Sequence, residues 1–162
     1  MNQDKLIVKP VIRGPVYSEG QVPTSYCARY ARMAAKDLFD LEYPVGHAWK
    51  MRSFPGIETI PIHSTQELAD FANMGMLKPG MLVGFRYFFT HPDNLNAARK
   101  EGVDYTHMAL LIDTDSEGGP FFADKFKSDT RPRISLATIT RLRTLKPREL
   151  LYLKGNPFFD NV

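Results

Sequence analysis

The chain has 162 residues, 43% of them hydrophobic and 24% charged, with a formal net charge of +3. That is enough chain for one domain with one core, and the composition excludes disordered and fibrous classes. The charge is too small to name nucleic acid as a partner, and a single cysteine excludes an internal disulfide and a cysteine-rich zinc site.

No apolar run approaches the roughly 18 residues of a membrane span. The N-terminal "MNQDKLIVKPVIRG" lacks a signal-peptide apolar region and a small-residue cleavage site. The protein is therefore expected to be made in the cytoplasm, and action in a cell wall or periplasm would need delivery by a phage or a secretion machine. There is no internal repeat and no low-complexity linker, so residues 1–162 are read as one domain.

In chain order, "KLIVKPVIRGPVY" is extended by its prolines and β-branched residues, and "SEGQVPT" is a loop. From Ser25 the pattern turns helical. Cys27, Tyr30, Ala31, Ala34, Ala35 and Leu38 fall on one face, with Arg29, Arg32, Lys36 and Asp40 off it. Thr24 or Ser25 is expected to cap that helix. Pro44, Gly46, Pro55 and Gly56 break up the segment that follows. Ser64 and Glu67 have capping-box spacing at the start of a second helix, whose stripe is Leu68, Phe71 and Ala72. "LKPGMLVGFRYFF" predicts a turn and a buried strand. Thr90 to Asp104 reads as a short, polar, partly helical insertion. Thr106 to Asp113 and Phe121 to Phe126 predict a hairpin around an acidic, Gly-rich turn. Arg148 to Lys154 predicts the last strand. Helices first and strands second indicate an α+β fold with an antiparallel sheet packed against helices.

Three side chains suggest chemistry. Cys27 opens a helix, where the partial positive charge of the N-terminus stabilises a thiolate. His107 opens a mostly apolar strand and can accept and return a proton. A carboxylate is needed to orient that imidazole. Asp124, one strand further on, faces His107's strand in a regular hairpin. Asp113 is the alternative, sharing a strand face with His107 by even spacing but lying near the turn. Gln21 precedes the helix by one short loop, and its amide is a candidate oxyanion donor beside the Cys27 backbone N–H. Singly, each has a plain explanation: a small buried hydrophobe, a satisfied strand histidine, a turn carboxylate, a solvated loop glutamine. Their order along the chain favours the joint reading, a variant of the nucleophile–base–orienter triad.

The motifs carrying this set are "SYCARYARM", "GHAWKM", "LKPGMLVGF" and "THMALLID". Together they resemble the CHAP family of cysteine, histidine-dependent amidohydrolases/peptidases and the related NlpC-type cell-wall peptidases. Arg29 stands two residues after the cysteine, where those families carry an aromatic or apolar residue. Met81 follows the Pro-Gly turn, where they carry an acidic one. The resemblance runs from about Gln21 to Asp124. It implies a papain-like α+β fold, Cys27 as nucleophile, His107 as base and Asp124 as third member. It also implies peptidoglycan or a related peptide as substrate, in a phage lytic protein or an injected toxin with an immunity protein as partner. Open alternatives are a cysteine peptidase, deamidase or acyltransferase acting on host proteins or lipids, and an inert papain-like binding protein.

No cofactor and no metal is expected. His47, His63 and His91 lack close ligand spacing. Trp49 suits either a core anchor or a sugar- or peptide-binding groove. Arg141, Arg143, Lys146 and Arg148 form a solvated basic face, or a surface for an anionic cell-wall polymer or lipopolysaccharide. No membrane span is expected, and a monomer is.

Overall fold

The computed structural model describes residues 14–23, 26–87, 92–114, 120–126, 129–131 and 145–159. Among the described residues, three α-helices, α1 (Cys27–Phe39), α2 (Thr65–Asn73) and α3 (Pro92–Lys100), accompany six strands. The strands are β1 (Ile57–Pro61), β2 (Leu82–Tyr87), β3 (His107–Thr114), β4 (Pro120–Phe126), β5 (Asp129–Arg131) and β6 (Leu145–Leu153). They form one antiparallel sheet in the order β1-β6-β2-β3-β4-β5. The class is α+β. Strands and helices interleave along the chain more than the sequence suggested, because β1 separates α1 from α2, while α3 falls within the expected helical insertion between β2 and β3.

Helix α1 packs across β3 and β4. Tyr30, Ala31, Ala34 and Ala35 are fully buried, as the apolar periodicity predicts. The alanines let helix and sheet approach closely, and Tyr30 reaches out to donate its hydroxyl to Pro15 O at 2.7 Å. Leu38, in the last turn, departs from expectation: it is 43% exposed. The expected caps Thr24 and Ser25 lie outside the described residues. The N-cap position is Tyr26, whose side chain makes no capping bond. The helix ends on Asp40 in the left-handed region, with Leu41 N–H bonded back to Ala35 O at 3.2 Å.

In α2 the cap is as read: Ser64 Oγ accepts the Glu67 N–H at 3.0 Å, and Leu68 and Ala72 are buried. A 3-10 turn, Ala48–Ser53, takes the "GHAWKM" block and packs against β1, β3 and α3. Phe85 and Gly84 are adjacent in β2 and so present opposite faces of the sheet. Phe85 lies beside the His107 ring, at 6.5 Å between centroids. On the other face the Tyr105 ring covers Gly84, where an added Cβ would come within 2.5 Å of it. The core thus sits on both sides of the sheet. No helix among the described residues is long and apolar enough to cross a membrane.

Candidate active site

Cys27 is the first residue of α1 and is only 9% exposed. Its Sγ lies 3.6 Å from Thr106 O, is hydrogen-bonded to the His107 ring and takes the backbone N–H of Met108. His107 is the first residue of β3 and is buried. Its Nε2 stands 2.6 Å from Asp124 Oδ2, and Asp124 is completely buried. The register explains this meeting. Leu110 pairs with Ala123, so one further step puts Asp124 opposite Ala109 and diagonal to His107 on the same face. With Nε2 on Asp124, Nδ1 is the ring nitrogen left for the sulfur.

The electrostatics follow from these contacts. Burial alone would push the Cys27 thiol up, and so does the nearby Asp124 charge. The hydrogen bond and positive charge of His107, with the Met108 N–H, outweigh both and hold the thiol below its ordinary value. Burial would pull the His107 imidazole down. Its bonds and charge interactions with Asp124 and Cys27 raise it instead, to about 10. Both directions favour a thiolate beside an imidazolium over the neutral pair, a nucleophile with a proton donor next to it.

The other candidates are placed differently. Asp113 accepts the N–H of Thr114 at 2.8 Å and serves its own turn. It lies six residues along β3 from His107, roughly 20 Å at strand rise. The register shift between Leu111 and Asp113 also breaks the even-spacing argument for a shared face. The structure therefore brings Asp124, and not Asp113, to the imidazole. Gln21 is tied to Ser18: its Oε1 accepts the Ser18 N–H at 3.0 Å and lies 3.1 Å from Ser18 Oγ. That fixes the carbonyl half of its amide within the turn before α1.

His47 stacks on Trp49 at 4.5 Å between ring centroids, and exposed His63 pairs with Glu67. His91 lies outside the described residues. Among the described residues no group of three or more His, Cys, Asp and Glu could hold a metal ion. Trp49 is half-buried and lines a surface cleft with Lys50, Asp93 and Asn96. Of the basic run, Arg141 and Arg143 lie outside the described residues. Lys146 is exposed opposite Arg86 on β2, and half-buried Arg148 pairs with Asp104 at 3.5 Å.

Sequence reasoning missed the Thr106 carbonyl and the Met108 N–H, the two backbone groups that bracket the sulfur. Only their position beside His107 hints at them, because every residue carries both groups. Compared with family models, curated proteins and solved structures, the chain matches none.

Proposed function

We propose that this protein is a thiol-dependent amide hydrolase with a papain-like arrangement of nucleophile helix and sheet. The observation that carries the reading is the continuous contact from Cys27 Sγ through the His107 ring to Asp124 Oδ2 at 2.6 Å, set at the start of a 13-residue helix. The Cys27 thiolate attacks the carbonyl carbon of an amide, forming a C–S bond and a tetrahedral oxyanion. The Cys27 backbone N–H belongs to the first turn of α1, which has no intrahelical acceptors, so it is a donor for that oxyanion. The amide nitrogen of Gln21 is the second proposed donor. His107 gives its proton to the leaving amine as the C–N bond breaks. It then takes a proton from water, whose hydroxide releases the acyl group and returns the thiolate.

The substrate assignment rests on the likeness of "SYCARYARM" and "THMALLID" to cell-wall peptidases, and is peptidoglycan or a peptide cut from it. Delivery from the cytoplasm by phage or secretion machinery, and an immunity partner, belong to the same proposal.

The test is digestion of purified sacculi by the wild-type protein and by Cys27→Ala, with fragments read by mass spectrometry. Defined fragments from wild type alone are expected, and their masses name the bond cut. Release of the same fragments by Cys27→Ala would sink the nucleophile assignment. Cleavage or deamidation of whole proteins, with sacculi untouched, would keep the thiol chemistry and move the substrate.

A further inference from the structure

On the face of the sheet opposite Phe85 lies a second buried polar group. Tyr105, 2% exposed, donates its hydroxyl to Glu149 Oε1 at 2.6 Å, and Glu149 is itself buried. The other carboxylate oxygen, Oε2, is 3.8 Å from Arg52 NH1, which donates to Gly102 O at 3.2 Å. Three separate pieces of chain thus meet on one carboxylate: the 3-10 turn, the loop leading to β3, and β6. Gly84, paired with Glu149 across β2 and β6, makes room for the aromatic ring.

The position of Tyr105 gives this group its meaning. Tyr105 immediately precedes Thr106, whose carbonyl oxygen lies 3.6 Å from Cys27 Sγ, and comes two residues before His107. The Met108 N–H that reaches the sulfur is one residue further on. A buried tyrosine has two side-chain torsions, and both are fixed here by the ring seat on Gly84 and the hydroxyl bond. The backbone from 105 to 108 is therefore clamped from the side of the sheet away from α1. A charge-assisted bond to a buried carboxylate is also stronger than a neutral one.

We infer that Arg52, Glu149 and Tyr105 act as a latch whose task is positioning: it holds the first residues of β3 so that the Thr106 carbonyl, the His107 ring and the Met108 N–H converge on the Cys27 sulfur. The inference rests on the thiol-hydrolase reading and names which residues outside the site set its geometry.

Alkylation tests it directly, because Cys27 is the chain's one cysteine and iodoacetamide reads its thiolate without any substrate. Rates against pH are measured for wild type, Tyr105→Phe, Glu149→Gln and Arg52→Ala, each checked for fold by circular dichroism. Tyr105→Phe is expected to slow alkylation at neutral pH by about tenfold, the order of effect of a sub-ångström misplacement, and to move the pH midpoint upward. Glu149→Gln keeps an acceptor for the hydroxyl but removes the charge that strengthens that bond and faces Arg52, and is expected to slow alkylation by about threefold. Arg52→Ala removes a half-exposed side chain and is expected to slow alkylation by a smaller factor of about three. Folded Tyr105→Phe with the wild-type rate and midpoint would overturn the latch. Should that variant not fold, Arg52→Ala decides, and a wild-type rate there overturns it. Wild-type protein that alkylates no faster than an ordinary thiol would instead sink the hydrolase reading, and the latch with it.

Discussion

His107 sits between two anionic groups, and that sandwich has a pH signature. The raised imidazole contributes stability that is fully present below its ordinary value of 6.5 and is lost as pH rises through about 10. The lowered thiol does the reverse: its contribution is present above the ordinary 9.0 and is lost as pH falls through the depressed value. The two describe one ion pair, so the pair is at full strength only between about 6.5 and 9. Thermal melts of wild type minus Cys27→Ala across pH should show a stability difference with its plateau in that window, falling on both sides. A difference that is flat from pH 5 to 10 would mean that no such pair exists. Turnover should fall as pH rises through about 10, where His107 can no longer protonate a leaving amine. Asp124→Asn removes the charge that raises the imidazole, so it should bring this limb down and cut turnover by at least about tenfold. Asp113→Asn, on its own turn, should leave both within about twofold of wild type. The reverse order would hand the orienting role to Asp113. Cys27, His107 and Asp124 were all legible from residue type and order along the chain. The choice between the two aspartates was not, because a strand bulge moves side chains between faces and leaves no mark in composition.

Elements were legible where a pattern repeats. Helix α1 shows it in Tyr30, Ala31, Ala34 and Ala35, all buried, and α2 in Ser64, whose capping bond to Glu67 is made. Strand β1 was missed, since "IETIP" is five residues long with half-buried positions and no clear alternation before its exposed end at Pro61. Strand β5 has three residues, too few for any periodicity. Strand β6 begins at Leu145, three residues before the predicted Arg148, and so takes in Pro147. It is accommodated at the register shift opposite Gly84 and Phe85. The α2 cap gives a check at this scale. Ser64→Ala leaves the Glu67 N–H without its acceptor and should cost about 1 kcal/mol of unfolding free energy in a denaturant titration. The alkylation rate of Cys27 should stay unchanged, because α2 packs mainly against β6, away from the strand ends that carry the site. A slowed rate would mean that the site is coupled to the far side of the sheet through α2.

At the scale of the whole molecule the decisive feature is the place of β6. It is the last strand in the chain, yet it pairs with β1 on one side and β2 on the other. Nothing in local periodicity announces this, because pairing joins Ile57 to Leu153 across most of the sequence. Strand β1 has its sheet pairing through β6, and β2 would become an exposed edge without it. Leu150 and Leu151 are fully buried, and Glu149 carries the Tyr105 bond. A chain ending at residue 144 would therefore lose the joint between the β1 edge and the β2–β3–β4 hairpin system, along with two core leucines worth about 1.5–3 kcal/mol each. Set against a typical total stability of about 5–15 kcal/mol, that loss, with the added cost of two open strand edges, leaves no margin. The truncated chain should show no cooperative thermal transition by circular dichroism. Its Cys27 should alkylate at the rate of an ordinary thiol, since the helix face and the β3 groups that hold the sulfur would no longer meet. Cooperative melting with fast alkylation in the truncated chain would show that α1, β2, β3 and β4 make the site alone, and that β6 only completes the sheet.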